Sequence, residues 1–345
     1  MPRSTPYAAY LFVSFAGEAA EDGERIRFAV SDGDDPRSWV DLNRGEPVLA
    51  SDLGEGGLRD PFIIRAPEAD GDDAGTRARF FLIATDLKVY PDVDFARAQQ
   101  TGSRSIMVWE STDLVTWSPQ RAVEVAPANA GNAWAPEATW DDAAGEYVVY
   151  WASALYPDEL DPAERDIRTS YQRMFTATTR DFREFSPARL WIDEPQGPGL
   201  GMIDSAVAFH DGAWHRFTKD ESVMGMRQET SPDLRRTQGV EPGDGWTLLA
   251  ERIGFGQPNP WGGEFSAGEG PSVFRSNAGD RWYLLQDQPE YHGGHGYALF
   301  ETADLTAPDW RLVPDAVLPA SPRHGTVIPI TEAERQALLA AYPPA

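Results

Sequence analysis

The 345-residue chain carries a formal net charge of −25, which repels phosphate backbones and anionic lipid and argues against nucleic-acid and membrane partners. With 41% hydrophobic and 11% aromatic residues it can bury enough apolar surface to offset its folding entropy, so disorder is excluded. Cysteine is absent, which removes disulfides and thiolate metal sites.

The first apolar run, Tyr10 to Phe15, has the alternating aromatic and β-branched character of a strand. It has neither the basic flank nor the small-residue cleavage site of a secretory leader. The expected compartment is therefore the cytoplasm, or the exterior if a leader has been removed. Further runs read as strands at 26–30, 79–85, 105–111, 147–153 and 281–287, separated by turn signals such as Asp211-Gly212 and Ala278-Gly279-Asp280. The acidic cluster Glu68 to Asp73 reads as solubilising surface. The longest apolar stretch, Tyr147 to Tyr156, is about half of what a membrane-spanning helix needs. Residues 158–173 are expected to hold a helix within an insertion. Thr331-x-x-Glu334 forms a capping box that opens a short C-terminal helix over about 331–342.

Two motifs interleave along this β-rich chain. The first is a hydroxyl residue, then Asp, then Leu or Phe, with an aromatic shortly after. It occurs as Ser111-x-Asp113-Leu114 with Trp117, Thr179-x-Asp181-Phe182 with Phe185, Ser231-x-Asp233-Leu234, and Thr302-x-Asp304-Leu305 with Trp310. A degenerate copy runs from Ser31 to Asp35 and Trp39, so the repeat averages about 68 residues, room for a four-stranded unit. The second motif is an ionisable residue opening a short apolar strand. Its copies begin at Asp60, Glu137, Asp204, Glu269 and His324.

The chain thus starts on a first-type motif and ends on a second-type strand. That order predicts an all-β, five-bladed β-propeller forming one domain over residues 1–345. Its last blade is closed by the C-terminal strand pairing with strands between Tyr7 and Leu42, which removes an exposed sheet edge. Pro61, just after Asp60, suits the start of a strand.

Innermost propeller strands run along the central channel, so their opening residues converge on its mouth. Four carboxylates in one place repel one another unless they share protons, bind a cation or do chemistry. Two carboxyls on opposite sides of a sugar ring are what glycoside hydrolysis needs, one to take a proton from water and one to protonate the leaving oxygen.

The segments Arg59-Asp60-Pro61-Phe62-Ile63, Trp134-Ala135-Pro136-Glu137, Ile203-Asp204-Ser205 and Gly268-Glu269-Gly270-Pro271 resemble family 43 of the glycoside hydrolases, in order and approximate spacing over nearly the whole chain. The resemblance implies a five-bladed propeller and an inverting mechanism, with Asp60 as base, Asp204 tuning the acid and Glu269 as acid. Two positions depart from it: Ser205 stands where the family often has Pro, and Glu137 where it has Asp. Arg-Asp-Pro also occurs in the related family 32 of fructan hydrolases. The only upstream Asp-Pro here, Asp35-Pro36, lies in a turn, so Asp60 is kept as base.

Around these three, Glu137 reads as a sugar-hydroxyl acceptor or a structural partner, and Trp134 as a stacking platform or an inter-blade core residue. Arg59 and Arg323 read as partners of the carboxylates or of sugar hydroxyls. His324 faces the channel; the resemblance implies a calcium ion held largely through water beside such a histidine, and an ordinary hydrogen-bonding role is the alternative. His292 and His295, without a third ligand, argue against zinc.

The resemblance implies arabinose- or xylose-containing oligosaccharides as substrates, α-L-arabinofuranosides first. Galactofuranose-containing ones are a further candidate, because β-D-galactofuranose shares the ring configuration of α-L-arabinofuranose and is larger by one exocyclic carbon. Insertions at 90–103, 156–173 and 254–266, carrying Tyr156, Trp261 and Phe265, are expected to wall the mouth into a pocket for exo action. The alternative from another class is a sugar-binding propeller without catalysis.

Overall fold

The computed structural model describes residues 6–67, 79–240, 245–289, 294–320 and 322–344. The acidic cluster at 68–73 and His292 lie outside them. The chain opens with β1 (Tyr7–Phe15), β2 (Arg27–Asp32) and β3 (Asp35–Asp41). The first complete blade is β4 (Leu58–Arg65), β5 (Phe80–Asp86), β6 (Ser105–Ser111) and β7 (Arg121–Glu124). The second is β8 (Trp134–Asp141), β9 (Glu146–Ala154), β10 (Gln172–Thr179) and β11 (Arg189–Ile192). The third is β12 (Met202–His210), β13 (Ala213–Asp220), β14 (Gly225–Ser231) and β15 (Thr247–Ala250). The fourth is β16 (Glu269–Arg275), β17 (Trp282–Gln288), β18 (Gly296–Thr302) and β19 (Arg311–Leu312).

The fifth blade is split, as expected: β20 (Arg323–Thr331) pairs antiparallel with β1, from Tyr7↔Thr331 to Phe15↔Arg323, and the sheet runs β20-β1-β2-β3. The capping box at Thr331 and Glu334 is present and opens a helix at Glu332–Ala341. Glu334 also accepts both terminal nitrogens of Arg65 on β4 at 2.8 and 2.9 Å, which fastens the split blade to the first one.

The repeated hydroxyl-x-Asp-Leu motif ends the third strand of each blade. Ser111 Oγ accepts the backbone N–H groups of Asp113 and Leu114 at 3.2 and 2.9 Å, while Asp113 Oδ1 accepts those of Val115 and Thr116 at 2.9 and 2.7 Å. Thr179 and Asp181 repeat the arrangement. These side chains replace the partners the chain loses on leaving the sheet. The turn pushes Leu114 and Phe182 into left-handed backbone, φ 67° and 54°, at a cost of about 1–2 kcal/mol each. Both side chains are fully buried, and burial of that size contributes about 1.5–3 kcal/mol, so the plug outweighs the strain.

Each of the five blade interfaces has its own apolar cluster, for instance Leu11, Ile63 and Phe80 between the split and first blades. The innermost strands β4, β8, β12, β16 and β20 enclose a narrow channel with a cavity of about 150 Å³. The helix expected over 158–173 is instead two 3-10 turns, Pro162–Glu164 and Ile167–Thr169. Asp161 and Asp166 there accept local backbone N–H groups, an alternative to helical bonding. A short helix at Phe95–Thr101 was not expected. Among the described residues, no helix is long and apolar enough to cross a membrane.

Candidate active site

Four of the innermost strands, β4, β8, β12 and β16, become irregular at the same end. Pairing of β4 with β5 shifts between Arg59 and Phe62, β8 with β9 between Trp134 and Glu137, β12 with β13 between Ile203 and Ser205, and β16 with β17 between Glu269 and Ser272. Each irregularity contains one residue of positive φ: Asp60 at 47°, Ala135 at 48°, Asp204 at 55° and Gly270 at 50°. Such bulges bend the strand and re-aim side chains. Here they turn Asp60, Glu137, Asp204 and Glu269 toward the mouth. Gly270 is needed for closeness as well as conformation, since a Cβ there would lie 2.7 Å from Cγ of His324.

His324 stands among three carboxyls. Its Nδ1 is 3.4 Å from Asp60 Oδ1 and 3.9 Å from Asp204 Oδ1, and its Nε2 is 4.0 Å from Glu137 Oε1. Burial alone would lower the imidazole, but Asp60, Asp204 and Glu137 together raise it to about 9, so it is a cation at neutral pH. Burial pushes Asp60 upward; the hydrogen bond and charge of His324, with Arg59 and Thr85, outweigh it and bring the carboxyl below its ordinary value. The Thr85 hydroxyl accepts from Ala135 N at 2.8 Å and donates to Asp60 Oδ2 at 2.7 Å, which fixes that carboxylate's orientation. Glu137 is raised by burial to about 8, against the pull of His324 and the Tyr150 hydroxyl that donates to it at 3.0 Å. Burial, together with the charges of Glu269 and Asp60, raises Asp204 against the opposing cations His324 and Lys219. A neutral Glu137 and one imidazolium thus relieve the repulsion expected from the sequence.

Glu269 lies on the other flank. Lys219 Nζ donates to its Oε2, and Arg323 Nη2 donates to its Oε1 at 3.1 Å. Arg323 also binds Asp287 Oδ2 through Nε at 2.6 Å, and the same oxygen accepts the His324 backbone N–H at 3.1 Å. Behind the mouth the Tyr297 hydroxyl donates to Gly270 O at 2.7 Å and accepts from Gly325 N at 2.8 Å, tying β16 to β20. Two acidic side chains, one raised and one lowered, beside a third gripped by two cations, form a set able to move protons on either side of a scissile bond.

Residues 5–336 match the family described as a probable glycosyl hydrolase domain related to glycoside hydrolase family 43. The chain belongs to that family. It is 33% identical over 275 residues to an α-L-arabinofuranosidase of Bifidobacterium longum subsp. longum, covering 73% of this chain. The match covers 24% of that protein, so the chain spans about a quarter of the curated relative's length. Among solved structures, the α-L-arabinanase of Penicillium chrysogenum complexed with arabinobiose superposes with a TM-score of 0.51 at 16% identity, covering 91% of this chain and 82% of that one. A family-43 β-1,3-galactosidase with galactodeoxynojirimycin gives 0.50 at 10% identity, covering 79% and 82%. At such identities the structural likeness is one of fold.

The remaining sequence candidates in this family-43-related chain serve packing and charge pairing more than they line the mouth. Arg59 pairs with carboxylates, but with Glu18 and Glu24 at 3.0 Å each, and its guanidinium lies over the Phe15 and Phe95 rings. It acts on Asp60 through its charge. Trp134 is partly buried and packs against two apolar clusters. Tyr156 and Phe265 do not wall the mouth. Each is 2% exposed; the Tyr156 hydroxyl donates to Gln99 O, joining two insertions, and Phe265 packs on Phe300 of β18, fastening its insertion to a blade core. Trp261 stays partly exposed, edge-on to His295. Lys219, Asp287, Thr85, Tyr150 and Tyr297 were missed by sequence reasoning; the available signal was a charged or hydroxyl residue inside an apolar strand run, as in Asp287. Among the described residues, no group of three or more His, Asp or Glu side chains is arranged to hold a metal ion; the Nδ1 of His324 faces Asp60 at 3.4 Å.

Proposed function

We propose that this hydrolase releases non-reducing-end furanosyl residues, α-L-arabinofuranose first, with inversion at the anomeric carbon. The observation that carries the reading is the convergence of Asp60, Asp204 and Glu269 on one mouth with Asp60 held ionised. Asp60 is also the most open of the three, its side chain 16% exposed against 12% for Asp204 and 8% for Glu269, which suits contact with a reacting water. In the proposed step Asp60 takes a proton from water as its oxygen attacks the anomeric carbon. The bond to the leaving oxygen breaks as Glu269 gives that oxygen a proton. Exchange with solvent then resets both groups. The named activity of the Bifidobacterium relative supports arabinofuranose.

The test is a panel of nitrophenyl α-L-arabinofuranoside, β-D-xyloside and β-D-galactofuranoside. Turnover of the arabinofuranoside above the other two is expected. A faster xyloside or galactofuranoside reassigns the sugar, and a folded protein that turns over none is a sugar-binding propeller. Proton NMR of the first product is expected to show the β-anomer of arabinose; initial release of the α-anomer refutes inversion.

Asp204 is assigned the role of raising the donor. Its charge disfavours ionisation of Glu269, so removing it should make the proton easier to lose. Asp204→Asn is therefore expected to move the alkaline limb of the kcat profile to lower pH. The acidic limb, set by Asp60, should move less. An unmoved alkaline limb removes Asp204 from this role.

A further inference from the structure

Glu269 is gripped by two unlike cations. Arg323 is fixed: besides Glu269 it binds Asp287 at 2.6 Å, lies 3.7 Å from Glu18 and faces the Phe15 ring at 5.8 Å. Lys219 comes from β13, opposite Ile203 and beside the bulge that aims Asp204. Its ammonium, on a flexible four-carbon stem, bonds Glu269 and is also drawn electrostatically to Asp204 and Glu221. The charged groups facing Glu269 include Lys219 and Glu221 from β13 and the turn after it, Asp204 from β12, Asp287 from β17 and Arg323 from β20. Cations on both oxygens favour a carboxylate over the protonated donor that glycoside cleavage needs. One of them has to leave, and Lys219 is the more mobile of the two: Arg323 is anchored by Asp287, while the flexible stem of Lys219 leaves Asp204 within its electrostatic reach.

We propose that Lys219 is a positioning residue that gates the proton donor: it holds Glu269 in the free site and turns to Asp204 and a sugar hydroxyl when substrate binds, freeing Oε2 of Glu269 to carry a proton from solvent to the glycosidic oxygen. The inference rests on Glu269 being the donor, and nothing in the family comparison assigns Lys219.

The experiment compares the parent with Lys219→Met and Lys219→Arg, all checked for folding by thermal melt, on the nitrophenyl glycoside the parent turns over. In the parent the alkaline limb of kcat is expected to lie above that of kcat/KM, because substrate draws Lys219 off the donor. In Lys219→Met the kcat/KM limb should rise by about 1–3 pH units toward the kcat limb, the effect of removing one adjacent opposite charge. Lys219→Arg keeps the charge and should keep the kcat/KM limb near its parental position. A folded Lys219→Met with unmoved limbs overturns the proposal. So does a several-fold rise in KM with an unchanged pH profile, the result for a residue that only binds sugar. If Lys219→Met does not fold, Lys219→Gln carries the same measurement. A carboxyl carbon-13 titration, with the Glu269 signal assigned by its loss in Glu269→Gln, separates the two levels. An upward shift in Lys219→Met upholds control of Glu269 by Lys219 even if the kinetics of Glu269→Gln refute the donor role, and an unshifted signal overturns it.

Discussion

Asp60→Asn is expected to lower turnover by about 10²–10⁴-fold on every substrate the parent cleaves, the range in which a positioned acid or base contributes. Water attack is common to all substrates, so a good leaving group should give no relief. The substitution is a clean probe because asparagine tolerates the left-handed backbone that Asp60 adopts at φ 47°. Its amide oxygen can still accept the Thr85 hydroxyl hydrogen bond. Alanine would add backbone strain and an empty acceptor site, mixing a folding defect with a chemical one. The measurement is kcat on an activated nitrophenyl glycoside and on an unactivated oligosaccharide. Near-parental turnover on both would remove Asp60 as base and give weight to the fructan-hydrolase likeness of Arg59-Asp60-Pro61.

Glu269→Gln should be selective where Asp60→Asn is general. Unactivated oligosaccharides need the leaving oxygen protonated and are expected to lose about 10²–10⁴-fold in kcat. A nitrophenolate departs with little help, so its loss should be much smaller. The glutamine keeps the size of the side chain and an oxygen for Lys219 or Arg323, so the ratio between the two substrates reports the proton itself. Equal losses on both substrates would mean that Glu269 holds the site together without donating.

The blade count was legible because the turn that ends each third strand carries its own hydrogen-bond chemistry. Ser111 with Asp113 and Thr179 with Asp181 satisfy the same backbone groups in successive blades, so the same residue types recur. The ring of ionisable residues was legible in position, less so in register. The left-handed residue is the carboxylate itself at Asp60 and Asp204, but at Ala135 it precedes Glu137 by two places, and at Gly270 it follows Glu269. Lys219 and Asp287 stood out only as charges within strand runs, and their partners could not be read because they come from cross-strand pairing. Lys219 faces Ile203 and Asp287 faces Glu269, and both contacts depend on bulges that have no sequence signature of their own. The expected walls failed for a simpler reason: Tyr156 and Phe265 are large and apolar enough to be buried, one against a second insertion and one against a blade core.

The split blade ties the timing of activity to protein synthesis. His324 and Arg323 lie on β20, which emerges after every other blade has been made, and β20 must find β1, the earliest strand. Pairing over so long a separation carries a large loop-closure cost and is slow compared with hairpin formation within a blade. Until it happens, Asp60, Asp204 and Glu137 are without their imidazolium, and Glu269 is without its guanidinium. A nascent chain on the ribosome can therefore own four folded blades and no working site. The charge balance of the site should be completed in one step, when β20 docks and brings the missing positive charge with it.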